Sequence, residues 1–459
     1  MPGLNTSLLT AMHALMAQQG GMDVTSNNIA NANTSGYTRQ VPVFQEAPTS
    51  QEGSLTYGNG VQLVRFQSVR DELLDLQVQQ ETSQNSGAGA QTNATQQIQP
   101  LFTTTGNDIG SQFSAFFGSI SQLSTDPANL SLRTSVITDG QNLANSFHAA
   151  VSRLIQIQSG LNGSVVQDVG KINQLAQQIA GLNTELISLQ AGGQDGGTVK
   201  DQQTELIRQL AELTDVSTIQ TERGITVTTG NGTALVVGNQ AFDLYTSAGS
   251  NGYQQVLSQG QDITASLSSG SLGGTLIVRD QMVPDILNQL DTLAYDFTNA
   301  FNATHAQGRD IAGNQGGDFF VPQSSTSGAA TRISVMLTDP SAIAASTDGS
   351  AGGNGNLTQL LALQSSPLPS GQTPTDSYST IVANVGTLAA NAQAESDASA
   401  LSLRQLTDQR SAVSGVSINE ESVNLIRFQQ AFEAAARVIT TIDQLNQVAL
   451  NMGASGGGF

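Results

Sequence analysis

The chain has no cysteine and no tryptophan in 459 residues, and only 11% of its residues are charged and 5% aromatic. Without thiols there is no disulfide and no thiolate nucleophile or ligand in any compartment. No run of about 18 apolar residues occurs, so no segment reads as a membrane-spanning helix. Basic residues are also few: 16 Lys and Arg stand against 36 Asp and Glu, a net charge of −20. Neutralising phosphates needs clustered cations, and the absence of clusters argues against a nucleic-acid partner and against an anionic membrane surface. The start, MPGLNTSLLTAMHALMAQQGG, lacks the basic flank and continuous apolar stretch of a secretory leader. Composition leaves two readings level, a cytosolic chain and one exported by a route that needs no cleaved leader.

What is present is length and periodicity. A chain of this size divides into about three domains, with thin aliphatic cores and a surface drawn from Gln, Asn, Ser and Thr. Near the start, Leu4, Leu8, Ala11, Leu15, Met22 and Ile29 fall on a heptad stripe completed by Gln18 and Thr25. The stripe stops at Asn31-Ala32-Asn33-Thr34-Ser35-Gly36, residue types suited to a turn. Val41-Pro42-Val43-Phe44 then reads as an extended piece at a sheet edge. From Phe147 to Leu189 apolar positions recur at steps of three and four, with only Gln158 and Asp168 polar, which predicts a long helix broken near Gly160 and Gly163. The Gly192–Gly197 loop reverses the chain into a second helix carrying Leu206, Leu210 and Leu213. Around Ile225, Val227 and Thr229 the period changes to two, with a turn at Gly230-Asn231-Gly232 and a return through Ala234–Val237. Further strands are expected at Ile263–Leu267 and Leu276–Val278. Helical spacing resumes at Ile286, Leu290, Leu293, Phe297 and Phe301. Few elements are expected between 306 and 376, and a last helix bears Leu425, Phe428, Phe432, Ala435, Ile439 and Ile442, then Leu445, Ala449 and Met452. The tail from Gly453 reads as a frayed end. The expected fold is mainly α with a β insert: a long coiled-coil-like bundle formed by the N- and C-terminal regions, with a small β domain nested inside.

Chemistry is not visible. His13, His148 and His305 are far apart and lack the i+4 partner of a metal pair, so each reads as structural. Between Gly308 and Phe320, Asp310, Asn314 and Asp318 lie four apart with no closing glutamate, which does not fit a calcium loop. Gly58-Asn59-Gly60 and Gly230-Asn231-Gly232 lack the remainder of a phosphate loop, and no Gly-x-Ser-x-Gly elbow occurs. No catalytic residue, cofactor or metal ligand is assigned, and the chain is not expected to be an enzyme. Both terminal stripes contain small or polar members, so neither helix is stable alone; helices of this kind gain order by packing on each other and on copies from neighbouring subunits.

Two segments carry a resemblance. Ser26-Asn27-Asn28-Ile29-Ala30-Asn31-Ala32-Asn33-Thr34-Ser35-Gly36-Tyr37-Thr38-Arg39 resembles the N-terminal signature of the rod, hook and hook-associated proteins of the bacterial flagellum. Gly415–Glu421, Asn424–Ala434 and Arg437 resemble the C-terminal signature of the same family, in the right order. The motif residues are Asn27, Asn28, Asn31, Asn33, Gly36, Tyr37, Arg427, Gln429 and Arg437. The long helical hairpin ahead of the β insert resembles the branch that forms the hook–filament junction; the hook protein and the third hook-associated protein are the alternatives.

The resemblance implies a structural subunit. Its expected layout is an axial helix of an inner tube (1–40), the first part of a helical shell (41–215), an outer β domain (216–282), a returning helix (283–310), a loop-rich connector (311–376), the second part of the shell (377–418) and a C-terminal axial helix with its tail (419–459). Assembly is expected through Leu4, Leu8, Met12, Leu15, Met22 and Ile29 at one end and Leu425, Phe428, Phe432, Ile439, Ile442 and Leu445 at the other. The implied partners are further copies in a ring-like or helical array, the hook protein below, the next hook-associated protein or the filament side above, and an export chaperone at the C-terminal helix. The implied location is extracellular, on the flagellum, after type III export without a cleaved signal.

Overall fold

A computed structural model of the chain describes residues 2–455, apart from 35, 53, 54, 104, 105, 107 and 193–195. Helix α1 (Pro2–Ala30) runs into an Asn-rich turn. Strands β1 (Gln40–Glu46), β2 (Ser50–Glu52), β3 (Leu55–Tyr57) and β4 (Val61–Ser68) make one long hairpin, with β1 antiparallel to β4 and β2 to β3. The Asp71 carboxylate accepts from the Leu73 and Leu74 amides and caps α2 (Glu72–Ile98). Helices α3 (Ile109–Leu123), α4 (Leu130–Ala191) and α5 (Gly197–Leu213) follow. Next come a four-stranded antiparallel sheet, β5 (Val216–Thr221), β6 (Gly224–Thr229), β7 (Ala234–Val237) and β8 (Gln240–Ala241), and a three-stranded one, β9 (Leu244–Ala248), β10 (Gln254–Ser258) and β11 (Gln261–Asp262). Helix α6 (Gly270–Ile277) passes through a π turn at Val278–Met282 into α7 (Val283–His305). Short α8 (Ala329–Arg332) and α9 (Gly355–Ala362) lead to the long α10 (Pro374–Ser414) and α11 (Ile418–Ser455).

Three tiers result. At one end α1 pairs with α11, and the β1–β4 hairpin lies on α1. The middle tier packs α10 along α2 and α3 along α4, with α7 and the connector closing the bundle. Its core concentrates the scarce aromatics: Phe113, Phe116, Phe117, Phe147, Phe297, Phe301, Phe319 and Phe320 are all buried together. Their rings meet edge-on or tilted, Phe113 standing 4.8 Å from Phe297 and Phe301 5.1 Å from Phe319. The far tier buries the C-terminal half of α4, with Val165, Ile172 and Ile179, against α5, α6 and the two sheets.

The long helix departs from expectation at both points. It starts at Leu130, seventeen residues before Phe147, capped by Asn129, and it runs unbroken for 62 residues. Gly160 and Gly163 sit on its exposed side, where a Cβ would meet nothing within 4 Å. Each glycine costs the helix about 1 kcal/mol, and packing on either side offsets it. The polar stripe members are docking points: Gln158 donates to the Arg279 carbonyl (2.7 Å) and accepts from Tyr253 (2.7 Å), and Asp168 accepts from Ser271 (2.9 Å).

The strands expected at Ile263–Leu267 and Leu276–Val278 do not form. Thr264–Ser266 is a 3₁₀ turn, and Leu276 lies in α6. The reason is close backbone packing of α6 on α2: a Cβ at Gly274 would stand 2.2 Å from the Gly87 carbonyl oxygen. A strand's pleat does not allow that approach, whereas a glycine-faced helix does. The loop around Gly193–Asp195 and the last four residues of the tail lie outside the described residues; α11 itself reaches Ser455. The stretch expected to hold few elements, 306 to 376, is packed rather than loose. Phe319, Phe320, Ile333, Ile343, Leu357 and Leu360 enter the main core, and the buried Arg133 guanidinium donates to the carbonyls of Pro127 (2.7 Å), Ile343 (2.8 Å) and Pro340 (3.2 Å).

His305 pins the same stretch. Its Nε2 accepts from the Ala344 amide (2.9 Å), so the proton is on Nδ1, which donates to the Gly317 carbonyl (2.7 Å). Of the other two, His13 bonds the Asn59 carbonyl (2.9 Å). The reading of each histidine as structurally satisfied does not hold for His148, whose buried Nε2 has no hydrogen-bond partner among the described residues.

Two measurements follow. Burial lowers the His305 pKa from its ordinary 6.5, so the unfolded chain takes the proton first as pH falls. Stability contributed at neutral pH is then lost below about pH 6.5 and until folded His305 itself protonates. The melting temperature should drop between about pH 7.5 and about pH 5.5, and His305→Leu should flatten that drop in a calorimetric scan. Gly274→Ala should destabilise the chain by about 1–3 kcal/mol in urea unfolding, because both Gly87 and α6 are backbone at that contact.

Candidate assembly interface

The terminal pair is antiparallel, and its register is fixed by two contacts. A Cβ at Gly21 would meet the Phe428 ring at 2.7 Å, and Asn28 donates to the Glu421 carboxylate (3.0 Å). On α11 the buried line is Glu421, Phe428, Ala435 and Ile442, each seven residues from the last. On α1 the buried residues are small or polar: Ala11, Ala17, Gly20, Gly21, Val24, Thr25 and Asn28. Gly20 is covered by Leu63 of β4, and Phe44 of β1 stands edge-on to Phe428 at 6.5 Å.

The predicted interface residues are distributed around this seam. Phe428 and Ile442 are buried in it; Leu4, Leu8, Leu15, Met22, Ile29, Leu425, Phe432 and Ile439 are half-buried along its flanks. Met12 (39% exposed) and Leu445 (52%) face outward, in the company of Leu9, Met16, Val423, Ile426, Val438, Val448 and Met452. A single copy therefore uses only a narrow seam of its helices and leaves a large apolar area on both.

The motif residues do something different: they close the end of the pair. Asn28, 1% exposed, uses all four of its hydrogen-bonding positions. Its Nδ2 donates to the Gln40 carbonyl (2.8 Å) and to Glu421, and its Oδ1 accepts from the Tyr37 hydroxyl (2.9 Å) and the Gln40 amide (3.0 Å). Burial, with Asp201 and Glu421 adding negative charge, pushes Tyr37 up to about 12, so its hydroxyl stays a donor. Asn31 bonds back to Asn27 (2.7 Å) and accepts from Thr34 (3.2 Å), and Gly36 takes the positive φ of 80° that the turn requires. Asn33, Gln429 and Arg437 are exposed, and Arg427 lies over the Phe428 ring at 5.2 Å.

The same turn fastens the pair to the middle tier. The Arg39 amide donates to the Ser414 carbonyl (2.9 Å) and its guanidinium pairs with Glu420 (3.0 Å). The Thr38 amide donates to buried Asp201 of α5 (3.3 Å), which also pairs with Arg70. Burial raises the Asp201 pKa, against the opposing Arg70 charge. A groove of about 1460 Å³ opens beside this joint, lined in part by Asn33, Tyr37, Arg65, Arg70 and Arg410. Its bases are largely matched by acids, Arg410 with Asp75 at 2.6 Å and Arg208 with Glu205 at 2.6 Å. Among the described residues no group of three or more His, Cys, Asp or Glu could hold a metal ion, and no helix is long and apolar enough to cross a membrane.

Sequence reasoning missed Gly20, Gly21 and Asp201, and it placed Glu421 in the C-terminal signature without giving it a role. The paired glycines inside a helical pattern were the available signal, since glycine mid-helix is costly without a packing reason; nothing in the sequence distinguished Asp201 from a solvated acid.

Residues 95–320 match the flagellar hook-associated protein FlgK helical domain, residues 8–38 the flagella basal body rod protein family, and residues 408–452 the flagellar basal body rod FlgEFG protein C-terminal family. The chain is 28% identical over 509 residues to flagellar hook-associated protein 1 of Bacillus subtilis, covering 98% of each. It is 26% identical over 546 residues to that of Escherichia coli, covering 98% of this chain and 100% of the relative. The fold resembles the structure of the flagellar hook junction protein FlgK from Burkholderia pseudomallei, with a TM-score of 0.68 at 18% identity over 74% of this chain and 100% of the other.

Asn28→Ala should weaken the closed end selectively. It removes the Asn28 bonds to Glu421, Tyr37 and Gln40, at about 1–3 kcal/mol for each buried group left unsatisfied. Hydrogen exchange should accelerate in α1 and α11 while the amides of α4 and α7 keep their protection.

Proposed function

The chain belongs to the flagellar hook-associated protein 1 family, and we propose that it works as the structural subunit joining hook to filament by packing its terminal helix pair against the pairs of other copies. The single observation that carries this is the half-used state of α1 and α11. Their mutual seam buries small residues, while Leu9, Met12 and Met16 on one helix and Val423, Ile426, Val438 and Leu445 on the other are exposed. Apolar faces this extensive mark contact surfaces, and two different faces on one subunit suit a head-to-tail array, ring-like or helical.

On this reading the terminal pair lines an inner tube, the α2–α10 bundle forms the shell around it, and the β5–β11 region faces outward. The subunit rests on the hook protein and receives the next hook-associated protein or the filament side. It leaves the cell through the flagellar export route, and a chaperone covers the α11 face until assembly. The role is mechanical and needs no catalysis.

Deleting the gene should leave cells with hooks but detached filaments, scored by electron microscopy, and the full-length chain should restore attachment. Filaments that remain on their hooks in the deletion strain would sink the reading and favour another axial component. Chains lacking residues 1–30 or 420–459 should fold in the middle and far tiers, by circular dichroism, yet fail to restore attachment.

A further inference from the structure

Five asparagines precede a glycine: Asn59, Asn162, Asn231, Asn251 and Asn354. Such a pair can react with itself, because glycine has no Cβ to keep its backbone nitrogen away from the asparagine side-chain carbon. The fold restrains four of the five. Asn162 lies inside α4, and its Oδ1 accepts from the Gln254 amide (2.7 Å) and from Arg279 (3.0 Å). Asn59 donates through Nδ2 to the Pro48 carbonyl (2.5 Å), Asn231 to Ser266 (2.5 Å) and Asn354 to the Ser124 carbonyl (3.0 Å).

Asn251 and Gly252 are exposed in the turn between β9 and β10. The Asn251 Nδ2 makes no hydrogen bond among the described residues, and a Cβ at Gly252 would meet nothing within 4 Å. The Asn251 Oδ1 accepts from the Tyr253 amide (3.1 Å). That donor polarises the side-chain carbonyl and stabilises negative charge developing on its oxygen. The Gly252 amide donates to the Gly249 carbonyl (3.0 Å), a surface turn bond that opens to water at little cost.

We propose that Asn251–Gly252 is a self-modification site, at which the chain converts its own amide to aspartate or isoaspartate and so loosens the β9–β10 hairpin from α4. The deprotonated Gly252 nitrogen attacks Cγ of Asn251. The N–Cγ bond forms, the Cγ–Nδ2 bond breaks, and the amide leaves as ammonia with a proton from water. A water molecule then opens the succinimide at either carbonyl, and no oxidant or reductant takes part. Opening at the backbone carbonyl routes the main chain through Cβ and Cγ, which lengthens the turn by a methylene. The next two residues are the hairpin's anchor. Tyr253 donates to Gln158 of α4 (2.7 Å) and lies under the Arg279 guanidinium (5.9 Å), and the Gln254 amide donates to Asn162 (2.7 Å). A longer turn cannot keep the Gly249 amide on the Tyr253 carbonyl (2.8 Å) and both anchors in place.

The test is peptide mapping of the purified full-length chain, aged in mildly alkaline buffer, with isoaspartate-specific methyl labelling. In the native chain acid and isoaspartate should accumulate at 251. In urea all five pairs should convert at similar rates. Each of the other four should be at least about tenfold slower in the native chain than in urea, since it must first be released from its bonds. Native Asn251 protected as strongly as those four, or another pair converting first, would overturn the site. Hydrogen exchange on the aged chain should accelerate in β9 and β10, and Asn251→Ala aged in parallel should show no change. Unaltered exchange in a chain that carries isoaspartate at 251 would overturn the loosening.

Discussion

The contact between Phe428 and the bare backbone of Gly21 sets the geometry on which the terminal tier depends. Because a Cβ at Gly21 would stand 2.7 Å from that ring, only glycine lets α11 come so near, and the approach fixes the register of the two helices. With register fixed, Asn28 falls opposite Glu421 and can serve four partners at once. Those bonds in turn hold the Asn-rich turn, which presents the Thr38 amide to Asp201 and the Arg39 amide to Ser414. One omitted methyl group thus leads, through a short chain of hydrogen bonds, to the attachment of the terminal pair to the rest of the molecule.

Helix existence was legible because 3.6-residue periodicity is a direct record of one-sided burial. It announced α1, most of α4, α5, α7 and α11, and the change to a period of two announced β6 and β7. It failed where burial is not one-sided or not apolar. The end of helix α6 reads as a strand because Leu276, Ile277 and Val278 form a short apolar run, while the purpose of the glycines before it, contact with Gly87, lies 183 to 187 residues away. The stretch after Gly308 shows no period because single residues such as Phe319, Phe320 and Ile343 drop into the core from irregular backbone, held there by Arg133 and His305.

The interface was legible as a place and less so as a pattern. Large apolar residues on α1 draw attention, yet within one chain they flank the seam while small residues fill it. The Asn-rich signature marked the correct turn, and its physical content, a fully satisfied buried amide beside a buried carboxylate, is a property of two segments nearly four hundred residues apart. A single-segment reading has no means of pairing Asn28 with Glu421. The same is true of Asp201, which looks like any surface acid on α5 until the turn folds over it.

Helix α4 belongs to two cores. Its first half carries Phe147 and Leu154 into the aromatic bundle, and its second half carries Ile172 and Ile179 under the sheets. At 62 residues it is about 93 Å long, with its backbone hydrogen-bonded throughout. A sideways force on the β5–β11 region therefore meets no soft linker along this helix. It reaches the bundle as bending of a single rod held in both cores.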